Sequence, residues 1–101
     1  MRAGLQIAFR DLTPDESLVV LAMAELTRLR LHWAEAVECN LMLSQLRGRF
    51  VAHLWMSRKS APRPTQVEAS DADVQGALRK VFEVARHMHR REQRPLLAVV
   101  S

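Results

Sequence analysis

Residues 73–91 constrain the fold more than any other stretch of the chain. Val74, Ala77, Leu78, Val81, Phe82, Ala85 and Met88 recur at helical spacing, so the segment is an amphipathic helix whose apolar stripe must be buried against another layer. The opposite face is mostly cationic. Arg79, Arg86 and Arg90 follow one stripe at i, i+7 and i+11, interrupted by Glu83, with Lys80, His87 and Arg91 beside them. A packed helix that turns such a row to solvent offers a docking surface to a polyanion.

What that helix packs against is written in the alternation of the preceding segments. Leu5 to Phe9 reads as a short strand with Leu5, Ile7 and Phe9 on one face, followed by a turn at Asp11 and Leu12. Thr13, Pro14, Asp15 and Glu16 then open a first helix, with Thr13 expected as N-cap, Pro14 at the first helical position and Glu16 at the capping-box position. This helix is expected from Pro14 to about Leu31, with Leu18, Ala22, Leu26, Leu29 and Trp33 as its core stripe. Val19, Val20, Leu21 and Met23 make its remaining surface more apolar than a solvent face requires.

Residues 36–44 and 50–57 alternate as strands around a hairpin turn at Gly48, the first burying Val37, Cys39, Leu41 and Leu43, the second Phe50, Ala52, Leu54 and Met56. Val51, His53 and Trp55 point the other way. Arg58 to Pro64, with two prolines and three cations, is expected as a loop; Thr65 to Ala69 as a fourth strand; and Ser70 as the cap of the second helix, which Arg94 and Pro95 end.

The order is β-α-β-β-β-α. The first two strands, joined by a helical crossover, are expected to lie parallel, and the second to fourth to form an antiparallel meander. The predicted class is α+β, a four-stranded mixed sheet with both helices on one face. At 101 residues there is room for one modest core, a single domain over 1–95 with an apolar tail at 96–101.

Charge narrows the partners. The net charge of +4 arises from 15 Lys and Arg against 11 Asp and Glu, and nearly all the positive charge is Arg, whose planar fork suits phosphate better than a Lys point charge. The lone Cys39 excludes an internal disulfide and any multi-Cys zinc site, which points to a reducing compartment. The start of the chain lacks a secretory apolar core and no apolar run approaches the ~20 residues that span a bilayer, so a cytoplasmic protein without membrane contact is expected.

Order, spacing and second-helix pattern together resemble the ribosome hibernation promoting factor and ribosome-associated inhibitor (protein Y) family. The matching residues are Leu5 to Leu12, Arg28 and Leu29 with Trp33, Cys39, Gly48 to Phe50, and, best of all, Asp73, Val74, Ala77, Leu78, Arg79, Phe82, Glu83, Ala85 and Arg86. The resemblance covers residues 5–91. It implies a double-stranded-RNA-binding-like fold with an added first strand. It also implies binding to the small ribosomal subunit in the channel used by mRNA and the anticodon ends of tRNA, with inhibition of translation under stress. The chain departs from the family pattern at Met23 and Glu25, where the family tends to place charge on the first helix.

The expected RNA-contacting set is Arg28, Arg79, Lys80, Arg86, His87, Arg90 and Arg91, the alternative being a solvated helix face with an occasional pair such as Arg79 with Glu83. Arg47, Arg49, Arg58, Lys59 and Arg63 form a second basic group that either extends the footprint or only solubilises loops. His87 and His89 face different directions on a helix, and no metal site, catalytic residue or cofactor is expected. Cys39 is expected as a buried small hydrophobe. Trp55 suits base stacking, a partner interface or cover by the tail. The rival function is a protein-interaction module that dimerises weakly through Val19, Val20, Leu21 and Met23, or through the Trp55 face.

Overall fold

The computed structural model describes residues 4–32, 37–59 and 63–93, with side-chain surroundings for all of these except 37 and 89–93. The elements are β1 (Leu5–Arg10), α1 (Glu16–Arg30), β2 (Val37–Leu46), β3 (Arg49–Arg58), β4 (Thr65–Asp71) and α2 (Val74–Gln93). They follow the order expected from the sequence. The sheet runs β1-β2-β3-β4, with β1 parallel to β2 and the other neighbours antiparallel. Trp33 and the tail at 96–101 lie outside the described residues.

One face of the sheet is apolar because alternation is kept in register across all strands. Leu5 lies beside Cys39, and Cys39 opposite Met56. Leu41 pairs with Leu54, and Leu54 with Val67. Against this face lie Leu18, Ala22, Leu26 and Leu29 of α1 and Ala77, Leu78, Val81, Phe82 and Ala85 of α2, all buried in one cluster. Phe82 and Leu29 share that core, which joins the two helices to the sheet. Burial also pushes the Cys39 thiol up to about 12, with Arg30 opposing the shift, so the sulfur is protonated at neutral pH and packs as a hydrophobe.

Both helix starts differ from expectation. Asp15, not Thr13, is the N-cap of α1: its Oδ1 accepts from the Ser17 N–H at 2.9 Å and from the Ser17 hydroxyl at 2.8 Å. The Ser17 hydroxyl foremost, and then the Ser17 N–H, hold the Asp15 carboxyl below its ordinary value. A carboxylate here also meets the positive end of the helix dipole, which a neutral Thr two residues earlier would not. Ser70 does not cap α2. It is still paired with Val51 in β4, which continues to Asp71, and the first α2 bond instead runs from the Ala77 N–H to the Asp73 carbonyl at 3.0 Å.

The β2–β3 turn is a two-residue turn at Arg47 and Gly48, both with positive φ (53° and 77°), the conformation whose twist matches antiparallel strands. The hairpin is therefore tighter than the five-residue turn read from the sequence, and the strands extend to Leu46 and Arg49.

Asp71 closes the corner between β4 and α2. Its carboxylate takes the Lys80 ammonium at 3.0 Å and the Asp73 N–H at 3.3 Å, and these contacts, Lys80 foremost, lower its pKa. It fits there because residue 76 is glycine: a Cβ on Gly76 would stand 2.5 Å from the Asp71 Oδ2. Gly76→Ala is therefore expected to forfeit the gain of about 0.5–1 kcal/mol that removing a mid-helix glycine normally brings. Gly76→Ala with Asp71→Ala is expected to recover it, as thermal melts of the two variants would show.

Candidate nucleic-acid interface

The strand register decides where the cations gather. Each helix begins at the hairpin end of the sheet, since β1 ends beside Ser44 and β4 ends opposite Phe50. Both helices then run back to the end where Val37 meets Arg58. Their C-termini therefore lie at that second end, where carbonyl dipoles favour cations. Arg28 and Arg30 close α1, while Arg90 and Arg91 lie near the end of α2, with side chains outside the described set. The second basic group is split by the same topology. Arg58, Lys59 and Arg63 fall at the helix C-terminal end, whereas Arg47 and Arg49 sit at the opposite hairpin.

Among the expected contact residues, the surroundings differ sharply. Arg79 is exposed and no carboxylate among the described residues pairs with it, Glu83 included. Arg28 is also exposed, its guanidinium 3.7 Å from Glu25. Lys80 is committed to Asp71. His87 donates its Nδ1–H to the Glu83 carbonyl at 2.9 Å, which leaves Nε2 as its free ring nitrogen.

Arg86 is the exception to a solvated stripe. Its Nη1 donates to the Glu25 Oε1 at 3.1 Å, joining α2 to α1, and only 23% of the Arg86 side chain and 6% of the Glu25 side chain are exposed. Among the described residues, Glu25 is the one charged residue that is buried. Neutralising one partner strands the other, at 3–5 kcal/mol for a fully buried pair. With Arg86 partly solvated, Arg86→Gln is expected to cost about 1–3 kcal/mol. Arg79→Gln is expected to stay within ~0.5 kcal/mol, a contrast that denaturant melts resolve.

Around this ion pair the helices leave an open cleft of about 460 Å³ lined by Leu21, Ala24, Glu25, Arg28, Arg79, Glu83 and Arg86. The sequence reading missed it because no local signal links Glu25 to a residue 61 positions away. Leu21 packs against the core and Val19 is half-buried, so the apolar excess of α1 shrinks to Val20 and Met23, 61% and 42% exposed.

On the face away from the helices, Trp55 stacks on His53 with ring centroids 4.0 Å apart and planes 7° apart. Gln6, Ala8, Asn40 and Met42 continue that face into a shallow hollow of about 160 Å³ beside Trp55. No group of three or more His, Cys, Asp or Glu among the described residues is arranged to hold a metal ion, and no helix among them is long and apolar enough to cross a membrane.

No protein-family model and no curated protein sequence matches the chain. Solved structures do. The protein Y N-terminal domain of Thermus thermophilus superposes with a TM-score of 0.76 at 18% identity, over 84% of this chain and 92% of that one. A ribosomal subunit interface protein from Coxiella burnetii gives a TM-score of 0.76 at 9% identity, over 88% of this chain and 96% of that one. At such identities the likeness is one of fold, and at that level the resemblance read from the residues holds: the chain has the α+β fold of the protein Y N-terminal domain and the ribosomal subunit interface protein.

Proposed function

We propose that the chain is a noncatalytic, ribosome-associated protein of the cytoplasm that holds small-subunit rRNA phosphates on its helix layer and inhibits translation by occupying the mRNA and tRNA channel. The observation that carries this reading is the exposed pair Arg28 and Arg79 on a helix layer whose sequence continues to Arg90 and Arg91, on a fold shared with the protein Y N-terminal domain and with a protein named for the ribosomal subunit interface. Arginine-rich helix faces recognise phosphate through fork geometry, with no need for base readout. The proposal assigns no catalytic residue, metal or cofactor. Its role belongs to stress or stationary phase, when idle subunits are silenced.

Salt dependence is the direct test. Contact with about four to six phosphates predicts a log–log slope of roughly −3 to −5 for association with purified small subunits, at ~0.7 to 0.9 per phosphate. Sedimentation across a salt series measures it. A chain that fails to sediment with small subunits even at low salt contradicts the proposal.

A further inference from the structure

The cleft between α1 and α2 combines three guanidinium groups with a carboxylate that is almost wholly buried beneath them. We infer that this cleft seats a single phosphate group of an RNA backbone, and that Glu25 is its internal counter-ion, gathering Arg86 and Arg28 at one place while weakening the seat they form. The inference rests on the RNA-binding reading and adds a location and a regulator of strength.

Glu25 uses both oxygens inward, Oε1 toward Arg86 at 3.1 Å and Oε2 toward Arg28 at 3.7 Å. Each guanidinium has five N–H donors, so both arginines retain donors for an oxyanion above. Arg79 stands on the same wall without a carboxylate partner among the described residues. Formal charges in the lining, three Arg against Glu25 and Glu83, leave +1, enough to attract one phosphate but less than three arginines alone would supply.

Two effects of Glu25 oppose each other, and magnitude decides between them. Without it the long arginine side chains lose a common anchor, which costs affinity a few-fold. With it, a negative charge lies ~5 Å from a seated phosphate, an effect on the order of a hundredfold at an effective dielectric of about 20. Salt and partial exposure reduce that to about tenfold. The electrostatic effect still dominates, so removing the charge strengthens binding.

The experiment measures anisotropy of a short labelled single-stranded RNA with wild type, Glu25→Gln, Arg79→Gln and the double variant, beside melting curves. Glu25→Gln keeps the shape of the side chain and an acceptor for Arg86, and is expected to bind about tenfold more tightly at low salt, the gain vanishing when Arg79→Gln is added. Binding no tighter than wild type by a Glu25→Gln protein that is folded at the assay temperature overturns the inference, and so does a gain that survives Arg79→Gln.

Arginine Nε–Hε spectra of wild type titrated with inorganic phosphate decide the matter if Glu25→Gln does not fold. Arg28, Arg79 and Arg86 are expected to shift along one saturating curve while Arg47 and Arg49 barely move; no common saturation contradicts the seat. A phosphate response without sedimentation on small subunits keeps the seat and removes the ribosomal reading. Sedimentation without a phosphate response does the reverse.

Discussion

Phe82→Ala is expected to destabilise the chain by about 3–5 kcal/mol, the cost of removing a large aromatic from a site that cannot collapse around the void. Phe82 is fully buried with Leu29, Leu41, Leu43, Leu54, Met56, Leu78 and Val81, so its ring touches the one core through which α1, α2 and the sheet are joined. A domain this small has a total stability of only about 5–15 kcal/mol. The variant therefore should lose much of its folded population near body temperature, and a urea melt beside wild type measures the loss. Phe82→Leu, which keeps most of the volume, is expected to cost less than half as much. A Phe82→Ala protein as stable as wild type would mean that the two helices do not share a core.

The core was legible because side-chain periodicity is a local property. Leu18, Ala22, Leu26 and Leu29 on one helix, Ala77, Leu78, Val81, Phe82 and Ala85 on the other, and the alternating Cys39, Leu41, Leu43 and Ala52, Leu54, Met56 are buried as their spacing requires. Strand order followed because a helix between the first two strands and short connections afterwards leave few topologies. Capping was less legible, since Thr13, Asp15 and Ser70 are all good caps; Ser70 is taken up by its pairing in β4, and Asp15 prevails over Thr13 through its bonds to Ser17.

The cationic surface was legible in composition and not in chemistry. Arg79 and Arg86 are equivalent as members of a stripe, yet one has no carboxylate partner among the described residues while the other anchors the helices through Glu25. Lys80 likewise belongs to a corner with Asp71 that exists only because Gly76 leaves room. Such pairings join residues on different elements, and a one-dimensional pattern holds no record of them. The division of Arg47 and Arg49 from Arg58, Lys59 and Arg63 is also a matter of register, because the two strands of a hairpin place their far ends a full strand length apart.

These differences set the design of the test with the largest functional effect. Reversing Arg86 would confound binding with folding, so it is left intact. Arg28→Glu, Arg79→Glu and Arg90→Glu are combined instead. Arg79→Glu is a surface change expected to alter stability by within ~0.5 kcal/mol, whereas Arg28→Glu sets a second carboxylate beside Glu25 and is expected to cost about 1 kcal/mol. Three reversals convert attraction at three phosphate contacts into repulsion. The loss is expected to exceed that of deleting those contacts, which alone removes roughly 2 to 3 from the magnitude of the salt slope at ~0.7 to 0.9 per phosphate.

Sedimentation of this triple variant with purified small ribosomal subunits at low salt, beside wild type and with melting curves for both, is the measurement on which the functional account stands. The account predicts that wild type sediments with the subunits and inhibits translation in an extract, while the folded triple variant does neither. A folded triple variant that binds subunits and inhibits translation as well as wild type would contradict it, and would leave the cationic helix face as a solvated surface only.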